Sequence, residues 1–436
     1  MNGNRAVATS LGLHWEPDPS AGMGRRDRRG GPYGAYLPDP LAGRPLVVDP
    51  GLASKAAEAE RAVHRLATVG DSRSLDGISR FLLRSEAIAS SMIEGIAPSP
   101  EQVALAELAH DEPIKGFSDQ ARLVANNIAV LRRASKDLVE TDEVTVEDVV
   151  RLHTELLPEE PHHGLRTVQN WIGGSNWHPL DAAYVPPPAD RVRPLMADLL
   201  HYLNASAHAP LVQAAFVHAQ FETIHPFTDG NGRVGRSLIH TVLTRRRLTP
   251  AAMLPISMVL ATLKDTYVDG LTAYRYDGPP DAEAARAGSA LWLDVFLDAT
   301  LVAVSQAGRL ATDIAELKSD WTARVARHRS ERGRRQTPRS DSATTRILAI
   351  LPEIPVMTVR TAERALGVTY PAARAALDEL AGAGVLTSKS VERGTTGYVA
   401  TEVLDLIAHT ERRLGSTSFD ARTSLPVRSV PAAPSS

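Results

Sequence analysis

One stretch of twelve residues constrains this chain more than any other: it runs from His225 to Arg236 and reads HPFTDGNGRVGR. Apolar residues recur at helical spacing on both sides of it, namely Leu211, Ala214, Ala215, Val217 and Phe221 before it and Val234, Leu238, Ile239, Val242 and Leu243 from its end onward. The stretch is therefore predicted to be a loop that joins two buried helices.

The residue types in this loop are those of a phosphate-binding site. Gly230, Asn231 and Gly232 are predicted at the N-terminus of the second helix, where free backbone N–H groups and the helix dipole attract anions. Arg233 and Arg236 are three residues apart, so their side chains share a helix face and can grip one polyphosphate.

Two further side chains extend this chemistry. Asp229 is a hard oxygen ligand, suited to a Mg²⁺ ion that is held mainly by phosphates. His225 is a histidine at the start of the same loop, and an imidazole that titrates near neutral pH suits a general base. Together these residues predict a nucleoside-triphosphate site with its own proton acceptor.

The glycines of the loop also fit a different pattern. Gly230, Gly232 and Gly235 spell G-x-G-x-x-G, which binds dinucleotides when a strand precedes it and an acidic residue follows about 20 positions later. Here a helix precedes the loop, and the region from Thr249 to Leu254 offers no carboxylate. Dinucleotide binding is therefore disfavoured, and the sequence contains no G-x-x-x-x-G-K-[ST] P-loop either.

The stretch resembles the H-x-F-x-[DE]-G-N-G-R-x-x-R signature of Fic-domain proteins, and every fixed position is met. The resemblance implies a mainly α-helical Fic-type bundle with a small β-hairpin flap. It also implies a protein adenylyltransferase that uses ATP and Mg²⁺. Such an enzyme transfers AMP to a Ser, Thr or Tyr hydroxyl of a target protein, or of the chain itself, and releases pyrophosphate.

The resemblance assigns a role to each fixed residue of the loop. His225 would deprotonate the target hydroxyl, Phe227 would anchor the loop in the core, and Asp229 would hold Mg²⁺. The phosphate-binding set would be Gly230, Asn231 and Gly232 at the α- and β-phosphates, Arg233 at the β-phosphate and Arg236 at the γ-phosphate. Tyr267 is the candidate contact for adenine, with Tyr274 as the alternative.

A second segment, residues 81–96, is predicted to be a helix that ends near Glu94 at Gly95. Taken alone, a helical glutamate is usually a solvated surface residue. However, Ser90-x-x-x-Glu94-Gly95 resembles the inhibitory [ST]-x-x-x-E-[GN] motif of the same family, in the subclass whose inhibitory helix lies N-terminal to the catalytic motif. The resemblance implies that Glu94 pairs with Arg236 and takes the donors that a γ-phosphate needs.

Residues 164–174 predict a β-hairpin that is completed by residues 183–185, because β-branched and aromatic residues lie there between glycines and prolines. The segment resembles the Fic flap, whose edge backbone pairs with the target segment. The implied flap residues are Gln169, Asn170, Trp171, Ile172 and Gly173. An ordinary structural hairpin is the alternative.

The chain is predicted to divide into six parts: an extended or disordered arm (1–50), a helical region with the inhibitory motif (51–120), the Fic domain (121–310), a helix and basic linker (311–341), a winged helix-turn-helix (342–412) and a disordered tail (413–436). In the arm, Tyr33, Tyr36 and Leu37 either dock on the body or belong to a passive tail. The predicted recognition helix carries Arg374 but also Asp378 and Glu379, which disfavours DNA. Protein docking or a homodimer contact is favoured, and DNA binding stays open.

The composition of the chain excludes some classes of site and indicates where the protein is located. The chain has 436 residues, a net charge of −3, 43% hydrophobic residues and no cysteine, so disulfides and thiolate metal sites are excluded. The N-terminus lacks an apolar signal segment, and no apolar stretch of about 18 residues is evident, which predicts a cytoplasmic protein without a membrane span.

The family that this chain resembles also includes branches that catalyse other reactions. Its kinase-like branch carries Lys where this chain has Gly232, and its phosphocholine-transferring branch lacks the second arginine, kept here as Arg236. At both positions this chain differs from those branches, and both differences favour AMP transfer. Removal of AMP from modified targets, with Glu94 positioning a water, stays an alternative, as does a DNA-binding regulator with a nucleotide-sensing Fic domain.

Overall fold

The computed structural model describes residues 7–18, 24, 27–44, 46–68, 78–161, 163–249 and 253–415. Within these ranges helices predominate, and the strands form small antiparallel sheets. Most of the predicted C-terminal tail, residues 416–436, lies outside the described residues.

The first part of the chain, up to the predicted catalytic loop, contains the following strands and helices: β1 (Thr9–Trp15), β2 (Gly31–Leu37), α1 (Pro50–Thr68), α2 (Ser79–Ile93), α3 (Pro100–Leu108), α4 (Asp119–Ser135), α5 (Val146–Leu156), α6 (Ala189–Ala205) and α7 (Pro210–Ile224). Short 3₁₀ turns lie at Asp137–Val139 and Pro179–Asp181.

After that loop the elements are α8 (Asn231–Arg245), α9 (Ile256–Thr262), α10 (Lys264–Tyr274), α11 (Glu283–Glu331), α12 (Ala343–Ile350), β3 (Val356–Met357), α13 (Val359–Leu366), α14 (Tyr370–Gly382), β4 (Thr387–Glu392), β5 (Thr395–Val399) and α15 (Thr401–Gly415).

The chain folds into two compact units, each assembled from three segments. Unit 1 comprises residues 1–60, 130–248 and 264–298, and unit 2 comprises residues 61–129, 249–263 and 299–436. This division differs from the predicted linear one, because the helical region of residues 51–120 belongs mainly to the same unit as the C-terminal segment. Sequence composition marks linkers, but it does not reveal which distant segments share a core.

The core of unit 1 is built around α7 and α8, the two helices predicted on either side of the loop. Every α7 residue from Leu211 to Ile224 is buried, so this helix has no solvent face. The two helices approach closely at Gly235, where an added Cβ would lie 2.6 Å from Glu222 Oε1 and 2.8 Å from Phe221 Cδ1. The indole of Trp292, in α11, donates to the carbonyl of Ala215 at 2.8 Å. The loop therefore rests on a rigid support.

The N-terminal arm is not disordered where the structure describes its strands. β1 and β2 form an antiparallel ribbon with Thr9 opposite Leu37 and Trp15 opposite Gly31. The Tyr36 hydroxyl donates to the Tyr276 carbonyl at 2.7 Å, which confirms the docking of Tyr36 on the body. The glycine-rich composition of this segment was misleading because the ribbon is stabilised by its contacts with the rest of unit 1.

Helix α11 is longer than the sequence pattern predicts, and it continues through most of the predicted linker. By length and composition alone it could cross a membrane: an 18-residue window has a mean hydropathy of 1.6, and half of that window is buried. The prediction that the chain has no such apolar stretch is therefore wrong. Trp292, Phe296 and Leu297 are fully buried, so this end of the helix serves as a core element of unit 1.

Unit 2 joins α2 and α3 to the C-terminal segment. Glu86 in α2 is buried, and its carboxylate accepts hydrogen bonds from the backbone N–H of Ser257 at 2.9 Å and from its hydroxyl at 2.5 Å. One apolar cluster combines α3 and the residues after it with the C-terminal sheet and α15: Ala104, Leu105, Leu108, Ile114, Val356, Val391, Val399 and Leu404.

The C-terminal segment has the order of elements that the sequence predicts. Helices α12, α13 and α14 are followed by β4 and β5, and β3 completes a three-stranded sheet in the order β3–β5–β4. Gly367 adopts a left-handed conformation (φ 61°) at the turn between α13 and α14. On α14, Arg374 pairs with Asp378 at 3.3 Å and Glu379 pairs with Arg329 at 2.8 Å. DNA binding by this segment stays an untested prediction.

Candidate active site

The predicted loop lies between α7 and α8, and it begins with an unusual backbone conformation. His225 caps the C-terminus of α7 with φ 51° and ψ 62°, a left-handed conformation that costs a non-glycine residue about 1–2 kcal/mol. Its backbone N–H donates to Phe221 O at 2.9 Å. The His225 side chain is half-buried. The turn directs the chain out of a buried helix while the imidazole keeps access to solvent.

The loop is closed by its own residues. Asn231 Oδ1 accepts from the Phe227 N–H at 2.8 Å, and Asn231 Nδ2 donates to the Phe227 carbonyl, also at 2.8 Å. The Phe227 ring is fully buried and stacks on His153 with 4.0 Å between ring centroids. Phe227 therefore anchors the loop as predicted, whereas the side chain of Asn231 is occupied by the loop itself.

The N-terminus of α8 opens into the loop. Gly230 occupies the N-cap position with φ 76°, and an added Cβ there would lie 3.0 Å from Leu156 Cδ2. Glycine has no side chain that could cap the helix, so the first N–H groups of α8 are left to the backbone, to water or to a ligand. Conformation and space thus both require glycine at position 230.

Three charged side chains surround this helix end. Arg233 and Arg236 are each only 1% exposed. The Asp229 side chain is 67% exposed, with Oδ2 3.7 Å from Arg233 Nη2, while Oδ1 accepts from the Gly230 N–H at 2.5 Å. In the described ranges no three His, Asp or Glu side chains group as a metal site. A single exposed carboxylate fits a Mg²⁺ ion whose other ligands are phosphates and water.

His153 supports the loop from α5, a role that the sequence analysis missed. Its Nε2 lies 3.1 Å from the Asp229 carbonyl, so the ring donates there as the Nε2–H tautomer. Burial lowers the pKa of His153 to about 4, so the ring is neutral near pH 7 and adds no charge of its own. No motif marks this residue in the sequence, because its partner lies 76 positions away.

Tyr267, the predicted adenine contact, is buried in unit 1. Its side chain is 4% exposed, and its hydroxyl lies 2.8 Å from Nε2 of the fully buried His218. Burial is the main cause that lowers the pKa of His218 to about 3, and the charge of Arg236 adds to it. Tyr267 also packs near Trp292, with 6.1 Å between ring centroids. Tyr267 therefore contributes to the core of unit 1, and its contact with adenine stays a prediction.

The predicted hairpin is reduced to one bridge. Ile172 pairs with Tyr184: the Ile172 N–H donates to the Tyr184 carbonyl at 2.8 Å, and the Ala183 N–H donates to the Ile172 carbonyl at 2.9 Å. Gly173 and Gly174 both adopt positive φ angles, 74° and 73°. These left-handed residues follow Ile172, so the predicted antiparallel pairing with residues 183–185 is present as a single bridge.

The predicted flap residues differ in what they contact. Ile172 is 39% exposed. Trp171 packs edge-to-face on Trp15 with 5.3 Å between centroids, and its indole donates to Ser175 O at 2.6 Å. Gln169 donates to Pro186 O at 2.9 Å, and Asn170 donates to Phe227 O at 2.9 Å. The side chain of Asn170 thus ties the flap to the loop, while Ile172 faces solvent.

Arg166 is the second residue that the sequence analysis missed. It is 4% exposed, and its guanidinium donates to four carbonyls: His225 at 2.9 Å, Val168 at 3.1 Å, Pro187 at 2.5 Å and Ile224 at 3.4 Å. Its backbone N–H donates to Pro226 O at 2.9 Å. Burial lowers the pKa of Arg166 to about 10. One side chain therefore fixes the end of α7, the first loop residues and both arms of the flap.

Ser90 and Glu94 lie in unit 2. Helix α2 ends at Ile93, Glu94 is its C-cap, and Gly95 follows with φ 80°, which confirms the predicted helix end. Ser90 is fully buried and Glu94 is exposed. Asn127 donates to Ala87 O at 3.1 Å and to Ser91 Oγ at 3.3 Å, which secures this last turn. The pairing of Glu94 with Arg236 stays a prediction.

Comparison with known proteins agrees with the signature in the loop. Residues 143–243 match the Fic/DOC family. A protein adenylyltransferase Fic from Drosophila grimshawi is 32% identical over 143 residues, which are 31% of this chain and 27% of that protein. The protein adenylyltransferase fic-1 of Caenorhabditis elegans is 29% identical over 124 residues, which are 27% of this chain and 22% of that protein. The match thus spans about a quarter of these relatives.

A solved structure extends the likeness in fold. A Fic family protein from Desulfovibrio desulfuricans G20 superposes with a TM-score of 0.50 at 23% identity, covering 81% of this chain and 97% of the other. Residues 143–243 therefore resemble a Fic domain, and the chain as a whole has a mainly helical fold. Its curated relatives carry the name protein adenylyltransferase.

Proposed function

We propose that this protein transfers AMP from ATP to a hydroxyl group of a target protein, and that it is held in a restrained state by its own α2 segment. The observation that carries the proposal is the loop itself. It combines a half-buried imidazole on a left-handed residue, His225, with the glycine-capped N-terminus of α8 and the buried cations Arg233 and Arg236. The names of the relatives support the same activity.

In the proposed reaction His225 accepts the proton of the target hydroxyl. The hydroxyl oxygen attacks the α-phosphorus of ATP, the bond from that phosphorus to the oxygen bridging it to the β-phosphate breaks, and pyrophosphate leaves. The backbone N–H groups of Asn231 and Gly232 bind phosphate oxygens, while the Gly230 N–H donates to Asp229 Oδ1 and holds that carboxylate beside them. Arg233 and Arg236 neutralise the charge that builds up on the leaving group.

A Mg²⁺ ion bound with the nucleotide would add charge neutralisation at the phosphates. Asp229 is the residue that would hold it, since its carboxylate is exposed and lies beside the N-terminus of α8. The Gly230 N–H donates to Asp229 Oδ1, and Asp229 Oδ2 lies 3.7 Å from Arg233 Nη2, so the carboxylate is held beside the cation that would bind the same phosphates. The preference of Mg²⁺ for keeping several non-protein ligands fits a site with one carboxylate.

The target segment would be presented along the flap. Residues Gln169, Asn170, Trp171, Ile172 and Gly173 follow Arg166 in sequence. The N–H and carbonyl of Ile172 bond to residues 183 and 184, so an added strand on the opposite side would pair with the backbone of Trp171 and Gly173. Since Arg166 bonds to His225 O as well as to Val168 O and Pro187 O, the flap and the proposed base keep a fixed spacing. That spacing is what orients a bound hydroxyl for attack.

Restraint by α2 is the regulatory part of the proposal. We infer that Glu94 pairs with Arg236 and thereby removes the donors that orient the γ-phosphate. The support is the Ser90-x-x-x-Glu94-Gly95 pattern together with the exposed position of Glu94 as the C-cap of α2. Ser90 is buried and fixes the helix from which Glu94 projects.

Labelling distinguishes AMP transfer from its alternatives. Wild type and Glu94→Gly are incubated with lysate and ATP that is labelled at either the α- or the γ-phosphate. We expect strong protein labelling from α-labelled ATP in Glu94→Gly, weaker labelling in wild type, and none from γ-labelled ATP. Labelling from the γ-position would indicate a kinase. Equal labelling of both proteins would show that Glu94 does not restrain the site.

Matched variants assign the signal to this loop. Glu94→Gly combined with His225→Asn should return labelling to background while ATP still binds. Glu94→Gly combined with Arg236→Ala should resemble Arg236→Ala alone, because residues that act as one unit are not additive. Additive effects of Glu94→Gly and Arg236→Ala would separate the two residues and refute the pair.

A further inference from the structure

A cleft of about 890 Å³ lies in unit 2, and none of the residues that line it belongs to the loop described above. It opens where α11 at residues 318–325, the connection at residues 335–341 and α12 at residues 345–349 come together. This volume is within the range of about 300–1,000 Å³ that is typical of small-molecule sites. The cleft is therefore large enough for a ligand of the size of a mononucleotide or cofactor.

Cations dominate the charged lining of the cleft. Lys318, Arg335 and Arg339 line it together with the single carboxylate of Asp341, which leaves two net positive charges. In the described part of the chain, no ion pair with a carboxylate involves any of these three cations. Arg324 and Arg329 nearby differ, because they are paired with Glu402 and Glu379.

The cleft also has an apolar floor and a ring of hydroxyls. Val325 is 1% exposed and lies at the base, and Leu348 is half-buried beside it. The hydroxyl groups of Thr322, Thr337 and Ser340 belong to the same lining. An apolar floor under convergent polar groups is the arrangement that binds an organic molecule with a charged end.

Lys318 is the most constrained of these groups. It is half-buried, and burial lowers its pKa, while the charge of Glu353 acts in the opposite direction. A desolvated ammonium group gains stability when an anion binds beside it. The carbonyl of Glu353 accepts a hydrogen bond from Arg84 of α2 at 3.1 Å. The surroundings of Lys318 thus adjoin the segment that holds α2 in unit 2.

We propose that this cleft binds a small organic phosphate, a phosphate monoester on an apolar or aromatic body. The two net positive charges of the lining match the dianionic charge of a monoester, and arginine guanidinium groups bind phosphate through paired N–H groups. The apolar floor at Val325 and Leu348 would receive the body. A carboxylate ligand would match only half of this charge.

Pyridoxal 5′-phosphate is a direct probe of such a site, since it combines a phosphate monoester, an aromatic ring and an aldehyde. The Lys318 amine condenses with the aldehyde and releases water, and borohydride then reduces the imine to a stable secondary amine. Peptide mass spectrometry of the full-length protein measures the modified fraction at Lys318. The exposed Lys136 in unit 1 serves as the internal reference.

We expect Lys318 to be modified about tenfold more than Lys136 at low probe concentration, and phenyl phosphate to protect it. Pyridoxal, which lacks the phosphate, should lose most of this preference for Lys318, and phenyl phosphate should not alter its reaction with either lysine. Arg335→Gln combined with Arg339→Gln should lower the modification of Lys318 by about tenfold. Arg327→Gln, an exposed arginine of α11 outside the lining, should leave it unchanged.

Three results would overturn the proposal. Equal modification of Lys318 and Lys136 would show that no phosphate site adjoins Lys318. Preference for Lys318 that persists in the double arginine variant, with circular dichroism unchanged, would show that the lining arginines do not bind the probe. Protection by a short DNA duplex but not by phenyl phosphate would replace the proposed small-molecule site with a nucleic-acid surface.

Discussion

The side-chain amide of Asn231 bonds to both backbone polar atoms of Phe227, accepting from its N–H and donating to its carbonyl, each at 2.8 Å. A primary amide can do this because it carries one acceptor and one donor on the same carbon. The two bonds close the loop from Phe227 to Asn231 around the exposed Asp229. Phosphate binding at Asn231 is thereby left to its backbone N–H, and its side chain holds the shape of the loop.

Asn231→Asp tests this assignment with little change in size. The variant keeps the acceptor and loses the donor, and it places a carboxylate oxygen against the Phe227 carbonyl. We expect the free energy of unfolding to fall by about 1–3 kcal/mol, and AMP transfer to be lost because the loop opens. Denaturant unfolding and the initial labelling rate measure the two effects.

A matched control lies elsewhere in unit 1. Asn204 makes the same pair of bonds to Val144, with both distances 3.0 Å. Asn204→Asp should therefore lower stability to a similar extent without abolishing transfer. If Asn204→Asp and Asn231→Asp reduce transfer equally, the loss reflects stability alone and the role of Asn231 in the loop is refuted.

Variants of His225 distinguish the loss of the proposed general base from the strain of the left-handed backbone at this position. His225→Asn and His225→Gly both accept a left-handed φ, whereas His225→Ala adds strain of about 1–2 kcal/mol. All three should lower transfer by about 10²–10⁴-fold, with ATP affinity largely retained. Only the alanine variant should melt at a clearly lower temperature than the glycine variant. Near-normal transfer by His225→Asn would exclude the imidazole as the base.

Arg166→Lys should impair the reaction with the protein target more than it impairs the binding of ATP. A lysine ammonium cannot reach the carbonyls of His225, Val168 and Pro187 at once, so the spacing between flap and base is lost. We expect a raised KM for the protein target and a lower kcat, with the KM for ATP changed little. Arg193→Lys, an exposed pair with Glu147, is the control. An increase in the KM for ATP alone would contradict this role.

The buried histidines predict the direction of the pH dependence. The pKa values of His153 and His218 are lowered from 6.5 to about 4 and about 3, mainly by burial. Below about pH 6.5 these two histidines therefore bind protons in the unfolded chain, whereas in the folded chain they stay neutral until the pH is much lower. Their contribution to stability is full above that pH and is lost as the pH falls toward 4, at about 1.4 kcal/mol per pKa unit.

The melting temperature of His153→Gln checks this linkage. Glutamine can still donate to the Asp229 carbonyl but does not titrate. Between about pH 7 and about pH 5 the wild type should lose more stability than the variant, since the variant has removed one titrating group. Parallel curves for the two proteins would mean that His153 is accessible to protons in the folded state.

Local sequence carried most of the information about the loop and its helices. Residue types at fixed spacing predict helices α7 and α8 and place Gly230 at the start of α8, because periodicity and backbone conformation are local properties. They also predict where α2 ends. These features depend on neighbours within about one or two helical turns.

Features that depend on distant partners could not be predicted in this way. Arg166 bonds to residues 58 and 59 positions away, and His153 bonds to a carbonyl 76 positions away. Tyr267 has the residue type of a ring-stacking contact, yet it is buried and its hydroxyl lies within hydrogen-bond distance of His218 Nε2. The flap has strand-forming residues, but consecutive left-handed glycines end the pairing after one bridge. In each case tertiary contacts overrule local preference.

The shared cluster of α3 and the C-terminal sheet has a consequence for the order of events on the ribosome. Unit 1 is complete once residue 298 has left the exit tunnel, whereas the partners of Leu105 and Leu108, at Val356, Val391 and Val399, are synthesised later. Unit 1, which contains the whole loop from His225 to Arg236, can therefore fold before the segment bearing Glu94 has its full support. The restraint proposed for Glu94 would then require residues 356–404, which are synthesised after unit 1.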